Sequence, residues 1–195
     1  VDVAATAGAD AVKFQTFKAS SVISVHAEKA AYQKQTTDAA ESQVDMVAKL
    51  ELSHADHAQL ADRCRERGIA FLSTPFDLDS LEFLVTDMGL TTLKIPSGEI
   101  TNAPLLLAAA RSGRDIILST GMSTIDEVRD ALGVLAFGYS GDAEAKPDAG
   151  AFTRALERAD ALQGKVTLLH CTTEYPTPYE DVNLRAMDSL REAFG

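Results

Sequence analysis

Two lysines stand where lysines are uncommon, inside short apolar runs: Lys13 between Val12 and Phe14, and Lys94 between Leu93 and Ile95. An ammonium on a packed strand loses hydration unless a partner answers it, so both positions call for a reason. Polar residues gather at the ends of the same and neighbouring runs: Gln15, Ser73, Thr74, Ser97, Glu99, Ser119, Thr120, His170, Thr172 and Thr173. Two ammonium groups among hydroxyl donors suit a small anion, most naturally a phosphate or carboxylate. Ser119-Thr120-Gly121, placed ahead of a helix start, offers backbone N–H groups to the same kind of ligand. Glu99 is the one carboxylate of the set.

Plainer roles exist for several of these residues. Ser97 and Ser119 also suit turns and caps, and Glu99 could cap the helix that begins near Pro104. His170 reads as a hydrogen-bonded histidine at a strand end, since no second metal ligand stands near it. His54 and His57, three apart at a helix start beside Asp56, read as solvent-facing. Cys64 and Cys171 form no CxxC or metal spacing.

The elements that must position these side chains follow from the apolar pattern. Strand-like runs cover Ala11–Phe17, Ile69–Pro75, Thr92–Ser97, Asp115–Gly121 and Lys165–Cys171, each rich in β-branched, leucine or phenylalanine residues. Helix-period segments separate them: one closing at Gly68, one from Asp79 to Met88 ended by Gly89, one opening at Pro104, one capped by Ser123 or Thr124, and a last one over Asn183–Phe194. Such alternation predicts an α/β fold with parallel strands and right-handed crossovers. The expectation is a (β/α)8 TIM-barrel type domain over residues 1–195, incomplete, with about five of eight strands, because a full barrel takes about 250 residues. The opening Val1–Asp10 reads as the tail of a helix, and the chain stops where a further strand is due. In that architecture the strands' C-terminal ends carry the active site, which is where the polar set lies.

Two stretches break the repeat. Ala19–Leu52 is a long polar excursion after the first strand, of a length that more often covers a site than idles. Gly138–Gly150 reads as a flexible insertion, and Phe152–Leu162 can form a helix.

Composition narrows the functional classes. The chain has 195 residues, 46% hydrophobic and 24% charged, with a formal net charge of −11. That charge repels a phosphate backbone, so nucleic acid is not an expected partner. No run approaches the roughly 18–20 apolar residues of a membrane span. Two cysteines argue against a disulfide scaffold and agree with a cytoplasmic location.

Taken together, the strings Val12-Lys13-Phe14-Gln15-Thr16, Phe71-Leu72-Ser73-Thr74-Pro75-Phe76, Lys94-Ile95-Pro96-Ser97-Gly98-Glu99, Ile117-Leu118-Ser119-Thr120-Gly121-Met122 and His170-Cys171-Thr172-Thr173-Glu174-Tyr175-Pro176-Thr177-Pro178 resemble the sialic acid synthases. Tyr32-Gln33-Lys34, Glu41-Ser42-Gln43 and Leu50-Glu51-Leu52-Ser53 resemble the long loop of that family. The resemblance implies condensation of phosphoenolpyruvate with N-acetylmannosamine or a related N-acylated hexosamine, with release of phosphate. It implies that Glu99 and Lys94 are catalytic, that Lys13, Thr74, Ser97 and Ser119 join Lys94 around the phosphate and carboxylate, and that Gln15, Thr173 and Tyr175 lie toward the sugar. It further implies Mn²⁺ or Mg²⁺ held by histidines beyond residue 195, a first strand and later strands outside this chain, a C-terminal antifreeze-like domain, and a homodimer when complete. The isolated 195 residues are then expected to turn over poorly or not at all. Rival readings are a Schiff-base pyruvate aldolase using Lys94 or Lys13, and a non-catalytic barrel relative.

Overall fold

A computed structural model describes all residues except 31, 32, 35, 36, 39, 142–144, 159 and 161. The chain divides into two compact units, Val1–Met88 and Gly89–Gly195. In the first unit a short helix α1 (Asp2–Thr6) leads into β1 (Ala11–Thr16). Short helices α2 (Ala19–Val22) and α3 (Gln43–Ala48) follow, then α4 (His54–Arg67), β2 (Ala70–Pro75) and α5 (Leu78–Glu82), which runs into a π turn over Phe83–Asp87. The second unit contains β3 (Thr92–Ile95), α6 (Ala103–Arg111), β4 (Asp115–Ser119), α7 (Ile125–Tyr139), α8 (Ala149–Leu156), β5 (Val166–Leu169) and α9 (Ala186–Phe194). All five expected strands are present; β2 begins one residue later than its apolar run and ends with it at Pro75, and the other four end one to two residues short of theirs.

Pairing is parallel throughout, β1 with β2 in one sheet and β3-β4-β5 in another. The α/β alternation with parallel strands is therefore as expected. Alternation along each strand sorts the side chains. Leu93, Ile95, Ile116 and Leu118 occupy one face of the second sheet and are at most 1% exposed. In the first sheet Phe14 stacks on Phe71 with ring centroids 5.4 Å apart, on the face that also carries Thr16 and Ser73. Burying a large apolar side chain stabilises by roughly 1.5–3 kcal/mol, and these rows anchor each sheet.

Helix ends follow the residues that suit them. Ser53 and Asp56 form a reciprocal capping box on α4, and Thr124 and Glu127 form another on α7. Gly68 closes α4 at φ 65°, a left-handed conformation that favours glycine. Pro104 stands in the first turn of α6.

Corrections concern the irregular stretches. α7 continues through Gly138 to Tyr139, and α8 occupies Ala149–Leu156 rather than the expected 152–162. Of the Gly138–Gly150 segment, residues 142–144 lie outside the described part. The excursion after β1 is braced internally. Lys29 is 6% exposed and donates to Thr37 Oγ1 (3.1 Å), the Asp38 carbonyl (2.7 Å) and Glu41 (3.3 Å), while Glu41 also pairs with Lys49. Its ends are joined where the Ala19 N–H donates to Glu51 Oε1 at 2.6 Å. Tyr32, part of a quoted loop string, lies outside the described residues.

His57 also departs from expectation. It is fully buried, with Nδ1 2.9 Å from the Ser53 carbonyl and Nε2 2.8 Å from Thr16 Oγ1, which in turn lies 2.7 Å from Ser73 Oγ. His54 remains exposed and stacks on Phe83 at 3.7 Å. The helical period alone could place His57 on either side, and hydroxyls from two strands decided it.

The second unit relies on small residues where helices meet. A Cβ at Gly138 would stand 2.5 Å from Ala110 Cβ, so α6 and α7 touch through their backbones. Gly138→Ala is expected to lower thermal stability, by about 1–3 kcal/mol. An unchanged melting temperature in thermal denaturation would contradict this packing.

Candidate functional site

In the first unit, register places Gln15 opposite Thr74 and Lys13 opposite Leu72. These four lie on the sheet face away from Phe14, Phe71, Thr16 and Ser73, whose stacking and hydrogen bond mark the other face. Lys13 and Gln15 are exposed. Thr74 is only 1% exposed, and its hydroxyl finds no hydrogen-bond partner among the described residues. A buried hydroxyl left unpaired is costly, and in native proteins it often marks a place where a ligand or ion belongs. Lys13 makes no ion pair among the described residues. Surrounding protein removes enough of its hydration to push its pKa below the ordinary 10.5. The face thus offers an unanswered cation, an amide and an orphan hydroxyl.

In the second unit, Lys94 and Ser119 share a face by alternation, and Lys94 Nζ donates to Ser119 Oγ at 2.6 Å and to the Ile95 carbonyl at 2.9 Å. After β3 a 3₁₀ turn, Ser97–Glu99, carries two more of the expected residues. Ser97 Oγ lies 3.2 Å from where a Cβ on Gly121 would stand, and Cys171 Sγ lies 3.0 Å from it, so only glycine fits between them. Lys94 with Ser119, and Ser97 with Gly121, are therefore brought together at the C-terminal end of this sheet.

Two expectations change. The backbone N–H groups after β4 are already engaged: Thr120 N donates to the Leu169 carbonyl, Gly121 N to Cys171 Sγ at 3.2 Å, Ser123 N to the Thr120 carbonyl and Thr124 N to Glu127. An anion would find these donors taken. Glu99 is not the cap of α6. Asn102 is, accepting from Leu105 N, and the Asn102 amide donates to Glu99 Oε2 at 2.7 Å. Neither role for Asn102 was read from the sequence, although an asparagine two residues before a first-turn proline is a capping signal. Thr173 and Tyr175 lie exposed in the loop after β5, and their side chains make no hydrogen bond among the described residues. His170 bonds the Val182 carbonyl at 2.7 Å, in keeping with a strand-end histidine that pins the following loop.

The whole chain, residues 1–195, matches the NeuB family. It belongs to that family. N,N'-diacetyllegionaminic acid synthase of Campylobacter jejuni is 47% identical over 194 residues, covering 100% of this chain and 52% of that protein. The enzyme of the same name from Legionella pneumophila is 42% identical, covering 100% of this chain and 49% of its own length. Among solved structures, the N-acetylneuraminic acid synthetase of Leptospira borgpetersenii, crystallised with citrate, aligns over 98% of this chain and 53% of its own at a TM-score of 0.69 and 28% identity. The chain therefore spans about half the length of the relatives it matches. These matches agree with the resemblance carried by the strand-end strings.

Among the described residues no three His, Cys, Asp or Glu side chains come together as a group that could hold a metal ion. No helix is long and apolar enough to cross a membrane.

Lys13 carries a testable signature. Because its folded-state pKa is depressed, the folded chain releases that proton before the unfolded chain does, and stability rises as pH climbs from the depressed value toward 10.5. Lys13→Met should raise the melting temperature at neutral pH, and the advantage should shrink in alkaline buffers approaching 10.5. A lower melting temperature for the variant at neutral pH would show that Lys13 is structurally answered.

Proposed function

We propose that the protein joins phosphoenolpyruvate to an N-acylated hexosamine, giving a nonulosonic acid of the sialic type and phosphate. The observation that carries this reading is the buried, unpartnered Thr74 hydroxyl on the face of Lys13 and Gln15. Supporting it are the Lys94–Ser119 pair and the citrate, a small polycarboxylate, in the Leptospira relative. The legionaminic acid synthases at 47% and 42% identity favour a diacetylated acceptor over N-acetylmannosamine.

The proposed chemistry assigns each group a task. The enol carbon of the donor attacks the sugar aldehyde and forms the C–C bond. The aldehyde oxygen becomes an alkoxide that needs a proton, and the donor carbon bearing the phosphate becomes oxocarbenium-like until water adds and phosphate departs. Fixed cations and hydroxyls hold the donor's charges and cost no reorganisation during reaction. Lys13, Thr74, Lys94, Ser97 and Ser119 take the phosphate and carboxylate, with Lys94 also counted as catalytic. Glu99 handles the proton as the new alkoxide forms. Gln15, Thr173 and Tyr175 face the sugar.

The wider reading is of a (β/α)8 barrel to which this chain contributes five strands, in a cytoplasmic protein that acts as a homodimer. Mn²⁺ or Mg²⁺ would polarise the aldehyde from ligands beyond residue 195, and an antifreeze-like domain would complete the sugar site.

Phosphate release by the intact protein, assayed with a panel of N-acylated hexosamines and Mn²⁺, should depend on the sugar and be greatest with a diacetylated one. Thr74→Val should lower kcat/KM for phosphoenolpyruvate by about tenfold, the worth of one hydrogen bond to a charged group. Borohydride treatment with pyruvate should leave Lys94 and Lys13 unmodified. A covalent adduct at either would replace the synthase reading with a Schiff-base aldolase.

A further inference from the structure

Asn102 performs two tasks with one amide. Its Oδ1 accepts from Leu105 N at 3.2 Å, which caps α6, and its Nδ2 donates to Glu99 Oε2 at 2.7 Å. The cap removes any freedom in which way the amide faces. A backbone N–H can only be met by oxygen, so the NH₂ end must point at Glu99. The backbone tightens the same link, since Asn102 N donates to the Glu99 carbonyl at 3.0 Å and Glu99 N to the Pro96 carbonyl at 3.1 Å. The carboxylate is thus referenced to the start of a helix whose Leu105, Leu106, Ala109 and Ala110 are at most 1% exposed. Rigid elements hold catalytic groups more precisely than free loops do.

We propose that Asn102 is the positioning residue of the reaction, fixing the Glu99 carboxylate through a hydrogen bond whose direction is set by the cap of α6. This rests on the role assigned to Glu99 above. Asn102 touches no substrate in this scheme. It holds one carboxylate oxygen and leaves the other to the reacting proton.

Two substitutions separate positioning from capping. Asn102→Ser and Asn102→Asp both keep an N-cap acceptor, so α6 and the melting temperature should be nearly unaffected. Serine removes the amide donor to Glu99, and aspartate places a second carboxylate against it. In the intact protein Asn102→Ser should lower kcat about tenfold with KM for phosphoenolpyruvate little changed, and Asn102→Asp should lower kcat further, because like charges at hydrogen-bond distance repel. In a Glu99→Gln background, Asn102→Ser should add little further loss, as expected of residues acting through one another. Wild-type kcat in Asn102→Asp would overturn the inference, as would a kcat loss that merely follows a fall in melting temperature. If Glu99→Gln alone leaves turnover unchanged, the role of Glu99 fails and that of Asn102 with it. If Glu99→Gln is impaired and the Asn102 variants are not, the positioning claim alone fails.

Discussion

A lysine on a strand flanked by apolar residues loses hydration to the protein around it unless a partner answers it. Lys94 is answered by the Ser119 hydroxyl and the Ile95 carbonyl. Lys13 makes no ion pair among the described residues, and although its side chain is exposed, partial loss of hydration to the protein around it lowers its pKa. Strand alternation makes this arrangement possible. It sends Leu93, Ile95, Ile116 and Leu118 to one side and leaves Lys94 and Ser119 on the other. The same rule sets Lys13 and Gln15 beside Thr74 in the first sheet.

Apolar and polar residues are divided along those faces. The apolar rows and the close-packed helices, with Gly138 against Ala110, hold the second unit together. The polar rows cost stability, most visibly at Lys13 and at the Thr74 hydroxyl, which has no hydrogen-bond partner among the described residues. Binding sites commonly carry such locally unfavourable groups, because a ligand supplies the missing partner. The buried His57–Thr16–Ser73 chain does the reverse. It satisfies every polar atom it brings inside, and so ties α4 to both strands of the first sheet.

Local sequence was a good guide wherever one physical rule acted alone. The five strands, the cap at Thr124, the proline in the first turn of α6 and the glycine ends of α4 and of the π turn each follow from a preference confined to a few residues. It was a poor guide wherever two distant segments competed for one group. The N–H of Gly121 was free to meet an anion until Cys171, fifty positions later, supplied its sulfur. Glu99 had the type and place of a helix cap, but Asn102 took the cap and bound Glu99 as well.

What the sequence by itself determined is the element order, the parallel α/β class and the membership of a synthase family, because these depend on periodicity and on strings of residues read in order. What only the tertiary structure decided is which polar groups have partners. Thr74, Thr16 and Ser73 are similar hydroxyls on neighbouring strands, yet two are satisfied by His57 and each other while the third is left open. That outcome depends on the side of the sheet a helix covers, a long-range property that no window of residues contains.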